Sequence, residues 1–339
     1  MSDGPSGESL QLFDIQQLRK KFLRIKKEIG KVFFGQEQVV ELLLVCLLCR
    51  GHALIEGVPG LGKTLLISTL ARALDLTFRR IQFTPDLMPS DITGTEIIEE
   101  DLETRQRKFR FIEGPVFGNV ILADEINRTP PKTQSALLEA MQERSVTHAG
   151  QSLTLPNPFF VLATQNPIES EGTYPLPEAQ LDRFMFKILI GYPGLKTEEE
   201  IVLRTTVDQK AMVEKVFSAE DIVQLQRVVR KVPVSRHVTR YAVSLVSCTR
   251  PNESEAPSFV REMVSWGAGP RASQYLVLAG KARAILEERW NVSIEDIQEV
   301  ARAVLRHRII PSFAAEANGV SVDSIAGQVL KHVKEPDYD

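Results

Sequence analysis

The sequence has little cysteine and little excess charge of either sign. Its 339 residues include 3 cysteines, and 41 Lys and Arg residues stand against 44 Asp and Glu residues, for a net charge of −3. So few cysteines do not form a disulfide framework, and the odd count predicts free thiols. Basic and acidic residues are interspersed along the chain, so the charge pattern does not favour a nucleic-acid partner.

A long hydrophobic run is also missing. The most apolar segment, Val39 to Cys49, contains Glu41 and is shorter than the roughly 20 residues that cross a bilayer. Residues 1–9 are polar and lack the apolar region of a secretion signal. We therefore predict no membrane span and a cytoplasmic location.

No residue pattern indicates a transition-metal site. Cys46 and Cys49 form a C-x-x-C pair, but both stand in a Leu-rich helical segment without a second pair of ligands. The five histidines are scattered without metal-ligand spacing. We expect a packing role for the two thiols and no protein-bound transition metal.

The chain does contain a regular alternation of helical and strand-like segments. With 43% hydrophobic and 25% charged residues it has the composition of a globular protein, and its length suits about two domains of roughly 150 residues. The alternation predicts an α/β fold with a doubly wound parallel sheet. Predicted strands cover residues 53–55, 78–83, 120–123 and 159–163, and predicted helices cover residues 15–29, 37–48, 63–74 and 133–143.

Two hairpins and a change of pattern divide the chain further. Residues 97–112 and 146–155 each carry two strand-like runs around a turn, which predicts hairpins that project from the sheet. After Tyr192 and Pro193 the pattern is almost continuously helical, which predicts an all-helical second domain. The expected organisation is a disordered N-terminus (1–9), an α/β core (10–192), a helical domain (193–334) and a short tail (335–339).

A glycine-rich turn after the first predicted strand matches a phosphate-binding motif. Gly57 to Thr64 fit G-x-x-x-x-G-K-[ST] in full. The glycines let successive backbone N–H groups point at phosphate, and the helix that follows adds its positive N-terminal end. We expect Lys63 to contact the β- and γ-phosphates and Thr64 to hold Mg²⁺. The residues predicted to bind ATP are Gly57, Pro59, Gly60, Gly62, Lys63, Thr64 and Leu65.

Polar residues at the ends of two later strands extend this predicted site. Asp124 and Glu125 follow the apolar run 120–123, at the carboxyl edge of the sheet, where doubly wound folds bind ligands. Asp124 is expected to order the water around Mg²⁺, and Glu125 to orient or deprotonate the attacking water. Asn166 follows the strand 159–163 and is expected to share the positioning of that water.

Two arginines lie outside these strand ends. Arg183 falls in a predicted short helix beyond the sheet, and Arg271 follows Pro270 at the start of a helix in the second domain. A single arginine is usually a surface charge. The residues alone therefore assign no role to either of them.

Taken in order, these residues resemble the AAA+ ATPases. Those proteins carry the Walker A, Walker B, sensor 1, arginine finger and sensor 2 motifs in that order. The matching residues here are, in the same order, Gly57 to Thr64, Asp124 with Glu125, Asn166, Arg183 and Arg271. Longer stretches resemble the MoxR family within that class, over most of residues 32–330. These stretches are Ile81 to Gly94 (IQFTPDLMPSDITG), Glu113 to Asn119 (EGPVFGN), Ala123 to Arg128 (ADEINR) and Gly172 to Phe184 (GTYPLPEAQLDRF).

The resemblance implies a P-loop ATPase with a C-terminal helical lid, working as a homo-hexamer with ATP and Mg²⁺ between subunits. It implies catalytic roles for Glu125, Asn166, Arg183 and Arg271. It also implies that the two hairpins face the pore or a partner, that a von Willebrand factor A domain protein is a partner, and that the protein remodels protein complexes as a chaperone. A catalytic arginine supplied by a neighbour requires a heterologous interface, which closes into a ring or continues as a filament.

Two other functions fit part of the sequence. A nucleic-acid motor or a metal-chelatase motor subunit is possible because related AAA+ proteins carry similar insertions. A nucleotide-gated scaffold would bind ATP without hydrolysing it, and the presence of both Asp124 and Glu125 speaks against this function.

Overall fold

Helices and strands alternate through the first half of the chain, as predicted. A computed structural model describes residues 12–100, 107–167, 172–207, 211–254 and 256–336. The predicted disordered N-terminus lies outside the described residues, as do residues 337–339 of the predicted tail. The strands are β1 (Ala53–Glu56), β2 (Phe78–Gln82), β3 (Gly94–Glu100), β4 (Arg107–Glu113), β5 (Val120–Asp124), β6 (Ser145–His148), β7 (Gln151–Thr154), β8 (Phe160–Gln165), β9 (Phe186–Leu189), β10 (Val264–Trp266) and β11 (Ile310–Pro311).

The helices follow the predicted apolar periodicity closely, with most boundaries within two residues. A 3-10 turn, Ile126–Arg128, follows β5. The α-helices are α1 (Leu12–Ile29), α2 (Glu37–Leu48), α3 (Lys63–Ala73), α4 (Pro89–Thr93), α5 (Pro131–Glu143), α6 (Glu178–Leu181), α7 (Leu195–Thr205), α8 (Ala219–Lys231), α9 (Arg236–Ser247), α10 (Ser258–Met263), α11 (Pro270–Leu286), α12 (Ile294–Leu305), α13 (Phe313–Ala317) and α14 (Val322–His332).

Five strands form the predicted parallel sheet, in the order β2-β5-β8-β1-β9. Every neighbouring pair is parallel. After β1 the chain crosses to β2 at one side, returns through β5 and β8, and ends with β9 on the other side of β1. The strand order therefore reverses at β1, and such a reversal opens a crevice at the carboxyl ends of the strands.

Strand residues alternate between two apolar cores, one on each face of the sheet. On one face Ile55 and Leu122 join a large cluster that includes α2, α3 and the helices after β9. On the other face Leu54 and Ile121 pack with α5 in a smaller cluster. Helices cover both faces, so the strands read as continuous apolar runs, as is usual for parallel sheets.

Both predicted hairpins are confirmed. β3 pairs with β4 in antiparallel register from Gly94 opposite Glu113 to Glu100 opposite Arg107. β6 pairs with β7 from Ser145 opposite Thr154 to His148 opposite Gln151. Neither pair joins the five-stranded sheet, so both hairpins are separate additions to the α/β core.

The region after β9 is helical, as predicted, with one departure. β10 and β11 form a short antiparallel pair, whose runs of three and two residues are too short to leave a periodic signal in the sequence. Serines cap the helix starts: the hydroxyl oxygens of Ser218 and Ser293 accept N–H bonds at the start of α8 and α12. No helix in the described ranges is both long and apolar enough to cross a membrane.

The helical region is joined to the α/β core by ion pairs and by a shared apolar cluster. Glu41 of α2 accepts hydrogen bonds from Lys26 of α1 and from Arg283 of α11. The buried amide of Gln226 in α8 donates to the Leu47 carbonyl oxygen at 2.8 Å. These contacts fix the helical region against α1 and α2, next to the start of β1.

His52, the residue before β1, is buried and lies close to backbone groups of β8 and α5. His52 is 5% exposed, its Nδ1 accepts from the Val161 N–H at 2.9 Å, and its Nε2 lies 3.2 Å from the Met141 carbonyl oxygen. This pattern requires a neutral ring that is protonated on Nε2. Burial, and secondarily the charge of Arg144, lower the pKa of His52 to about 3.

We expect His52 to make the fold sensitive to acid. A histidine whose pKa is near 6.5 when unfolded and about 3 when folded stabilises the fold above pH 6.5, and this stabilisation is lost as the pH falls toward 3. Between pH 7 and pH 5 the loss from this group is about 2 kcal/mol.

Urea unfolding at the two pH values measures the effect. H52Q should be less stable at pH 7 but should lose about 2 kcal/mol less than wild type on going to pH 5. His307, whose pKa burial also lowers, is present in both proteins and cancels in the comparison. Equal losses in both proteins would contradict the assignment to His52.

Candidate active site

The phosphate-binding motif forms the turn between β1 and α3. Gly60 and Gly62 have φ values of +85° and +72°, a left-handed conformation that glycine adopts readily. A Cβ on Gly57 would lie 2.7 Å from the Ile190 carbonyl oxygen, so the start of the turn also requires glycine. Helix α3 begins at Lys63, and its N-terminal N–H groups therefore face the turn.

Lys63 lies across this turn. Its Nζ donates to the Gly57 carbonyl oxygen at 2.5 Å. Burial lowers the pKa of Lys63, and the negative charges of Asp124 and Glu125 oppose this effect. The lysine is therefore within electrostatic reach of both carboxylates, as the predicted site requires.

Asp124 ends β5 and is held on both carboxylate oxygens. Oδ1 accepts a hydrogen bond from the Thr164 hydroxyl at 2.6 Å, and Oδ2 accepts from Arg80 at 2.6 and 3.1 Å. Thr164 follows Ala163, which pairs with Ala123 in the sheet. The neighbouring strands β2 and β8 thus fix the carboxylate in place.

Glu125 adopts a left-handed conformation, with φ of 57° and ψ of 49°. Such values are uncommon for residues other than glycine and concentrate at functional sites. Its backbone N–H donates to the Thr164 hydroxyl oxygen at 2.9 Å, and its Oε2 accepts from the Gln82 amide at 2.8 Å. Arg128 lies 3.4 Å from the same oxygen.

Sequence reasoning assigned no role to Arg80, Gln82 or Thr164. Arg80 also donates to the Gln82 side-chain oxygen at 2.6 Å, so the two β2 residues connect Asp124 to Glu125. Residues two apart on a strand share a face. The spacing of Arg80 and Gln82 was therefore the one feature of the sequence that could have indicated that they act together. Asn166 is buried directly after β8, at the same edge as Asp124, where it was predicted.

A pocket of about 470 Å³ lies beside the phosphate turn. The segment before α2 forms one wall with Phe33 and Phe34, and Tyr192 and Ile201 form another. Leu65, in the first turn of α3, lines it together with Pro59 to Gly62. The lining is mainly apolar and suits a flat ring attached to the phosphates. Of the residues that line this pocket, the sequence predicted only those of the phosphate-binding motif and Leu65.

The donors at this edge fit a magnesium ion. The Thr64 hydroxyl and the Asp124 carboxylate are hard oxygen donors, and Mg²⁺ commonly takes one or two such groups together with phosphate and water. Both Asp124 oxygens keep acceptor capacity beyond their present bonds. Bound Mg²⁺ would neutralise charge on phosphate oxygens. No group of three or more His, Cys, Asp or Glu side chains suitable for a metal occurs in the described ranges.

Arg183 lies at the opposite edge of the sheet from the phosphate turn. It precedes β9, whose first residue, Phe186, pairs with Ala53 at the start of β1, whereas the turn begins at Gly57 after β1 ends. Four strand residues separate the two edges by about 10 Å. The prediction that Arg183 is on a helix was wrong: α6 ends at Leu181, because the carbonyl groups that follow accept hydrogen bonds from Arg308 instead.

Arg271 starts α11, as predicted, but it also lies at this opposite edge. Its Nη1 donates to Asp182 Oδ2 at 3.1 Å. Further along α11, the Leu278 carbonyl accepts from Cys49, just before β1 begins. The predicted site therefore divides into two groups: the turn, Asp124, Glu125 and Asn166 at the carboxyl edge, and the two arginines at the amino edge.

The fold and this edge of the sheet define a P-loop protein of the AAA+ class. Residues 52–186 match the model of the ATPase family associated with various cellular activities (AAA), and residues 257–328 match the AAA lid domain model. The second match covers the helices from α10 to most of α14.

Relatives narrow the class to a family. Chaperone MoxR1 of Mycobacterium tuberculosis is 45% identical over 309 residues, which are 91% of this chain and 81% of that protein. Protein MoxR of Paracoccus denitrificans is 31% identical over 89% of this chain and 92% of its own length. A crystal structure from Cytophaga hutchinsonii is named as a candidate ATPase and is 44% identical in sequence, with a TM-score of 0.88. The match covers 95% of this chain and 97% of that one. The chain belongs to the MoxR family of AAA+ ATPases.

Lys63→Ala is expected to abolish nucleotide binding or weaken it severely. The lysine contacts the turn rather than the core, so the thermal unfolding temperature should stay close to that of wild type. Calorimetric titration with a slowly hydrolysed ATP analogue measures the affinity. Lys132→Ala, at an exposed position near the start of α5, is the matched control and should bind like wild type. Wild-type affinity in Lys63→Ala would remove the turn from the nucleotide site.

Proposed function

We propose that this protein hydrolyses ATP with Mg²⁺ and uses the cycle to remodel protein complexes. The observation that supports this most is the meeting of four sequence-distant groups at one sheet edge: the phosphate turn, Asp124, Glu125 and Asn166. Charge-neutralising and water-positioning groups are what phosphoryl transfer requires.

Each group has a separate task in this proposal. The turn and Lys63 bind the phosphates, and the apolar pocket between Phe33 and Tyr192 takes the base. Thr64 and Asp124 hold Mg²⁺, directly and through water. Glu125, oriented by Gln82 and by its own left-handed backbone, accepts the proton of the attacking water, and Asn166 helps to position that water.

Glu125→Gln is expected to separate binding from hydrolysis. The amide keeps the shape of the side chain but cannot accept the proton from water, so ATP should bind with wild-type affinity while turnover falls at least ~100-fold. Glu139→Gln, an exposed position on α5, is the control. Near-normal phosphate release by Glu125→Gln would contradict its role. The same variant should retain client proteins in affinity capture.

The two arginines at the amino edge support a ring. Because Arg183 and Arg271 lie away from the phosphate turn of their own chain, we assign them to the nucleotide of a neighbouring subunit. The guanidinium of Arg183 makes no hydrogen bond or ion pair with any described residue. Repeated contacts of this heterologous kind close into a ring, for which we propose a homo-hexamer.

The proposed clients are proteins. MoxR1 is named a chaperone, and we extend that activity to this chain with a von Willebrand factor A domain protein as partner. The β3–β4 hairpin supports protein contact, because Ile98 and Phe109 on it are 60% and 72% exposed. Exposed apolar groups on a projecting element are typical of interaction sites. We keep the cytoplasm as the expected location.

Mixing two inactive variants tests the ring. Arg183→Ala should bind ATP but turn over on the order of 10³-fold more slowly, as expected for an arginine finger. Mixed with Glu125→Gln under conditions of subunit exchange, it should regain activity, because one interface then combines an intact Glu125 with an intact Arg183.

Native mass spectrometry should first demonstrate mixed rings. Arg72→Ala, at an exposed position of α3, is the matched control and should be active without mixing. No recovery from confirmed mixed rings of two inactive variants would rule out action of Arg183 on a neighbour.

A further inference from the structure

The Asp182 carboxylate joins two arginines of the helical lid. Oδ1 accepts from Arg308 Nε at 2.7 Å, and Oδ2 accepts from Arg271 Nη1 at 3.1 Å. The next residue in the chain is Arg183. Two arginines thus share one carboxylate, and a third follows it in the chain.

Arg308 is fixed within this group. Its side chain is 2% exposed, and its five N–H donors have five acceptors. Nε donates to Asp182 Oδ1, Nη2 donates to the carbonyl oxygens of Asp182 and Phe184, and Nη1 donates to those of Met185 and Val304. This network fixes the turn between α6 and β9 that carries Arg183. The Tyr275 hydroxyl donates to the Arg183 carbonyl oxygen at 3.2 Å and adds to the constraint.

Arg271 is held much more loosely. Its side chain is 43% exposed, that of Asp182 is 32% exposed, and a single hydrogen bond joins them. Exposed ion pairs of this kind are weak. A phosphate group binds arginine through two parallel charge-assisted bonds and competes effectively with such a contact. Asp182 therefore holds one arginine firmly and the other exchangeably.

We propose that Asp182 is a positioning residue that presents Arg271 beside Arg183 to the phosphates of the neighbouring subunit's nucleotide. The proposal rests on the proposed ATPase ring. A phosphate takes Arg271 from Oδ2, while Oδ1 and Arg308 keep the Arg183 turn in place. One carboxylate thereby couples the position of an arginine on the lid to that of an arginine on the α/β core.

Asp182→Asn separates the two roles of this carboxylate. The amide oxygen can still accept from Arg308, whereas the amide NH₂ is a donor and repels Arg271. We expect turnover to fall ~10-fold, because Arg271 is no longer held in position before it meets the phosphate. Affinity for a slowly hydrolysed ATP analogue should fall much less than turnover, because the phosphate turn at the opposite sheet edge keeps all its contacts. Wild-type turnover, or a loss of affinity as large as the loss of turnover, would overturn the proposal.

A double-mutant cycle with Arg271→Ala shows whether Asp182 acts through Arg271. In the Arg271→Ala background, Asp182→Asn should cause no further loss of turnover. A full additional ~10-fold loss would mean that Asp182 acts through another group. Wild-type turnover in the single variant Arg271→Ala would contradict the proposed function of Arg271. Wild-type turnover in Asp182→Asn, together with a loss in Arg271→Ala, would contradict only the proposed role of Asp182.

Thermal unfolding without nucleotide gives a readout independent of activity. Asp182→Asn should melt close to wild type, because Arg308 keeps its acceptor. Asp182→Leu should melt clearly lower than Asp182→Asn, because Leu leaves the buried Nε–H of Arg308 without an acceptor. Equal melting temperatures for the two variants would overturn the assignment of Oδ1 to Arg308 and Oδ2 to Arg271.

Discussion

The parallel alignment of β1 between β8 and β9 is the constraint on which the candidate site depends. Parallel strands end at the same edge, so β1, β5 and β8 bring the phosphate turn, Asp124 and Asn166 together. The same alignment places the start of β9, and therefore Arg183, at the other edge. A chain folded in this way has the candidate phosphate-binding residues on one edge of the sheet and both arginines on the other.

Charge at each edge is organised by one aspartate. At the carboxyl edge Asp124 accepts hydrogen bonds from Thr164 and Arg80, and these two bonds orient its carboxylate without a metal ion. At the amino edge Asp182 accepts from Arg308 and Arg271. In both cases a partly or largely buried carboxylate is fixed by a neighbouring strand or helix and keeps a side that is open to exchange. In the proposed ring, a nucleotide between two subunits would contact one edge of each.

Much of the first edge could be predicted because its signals are local. The glycine-rich turn and the apolar run before Asp124 each depend on a few consecutive residues. The hairpins 97–112 and 146–155 were found for the same reason, since alternation and turn residues lie side by side. The family resemblance rests on equally local stretches, and similarity to MoxR proteins over most of the chain confirms it.

By itself, the sequence determined the class of fold, the phosphate turn and the acidic residues at the end of β5. Only the tertiary structure showed that Arg80 lies 2.6 Å from Asp124 and that Arg271 lies against Asp182 rather than at the phosphate turn. The first pair is 44 residues apart, and Arg271 is 89 residues from Asp182. Such contacts depend on strand order and on how the lid packs against α1 and α2. Side-chain periodicity within one segment does not encode which other segment becomes its neighbour.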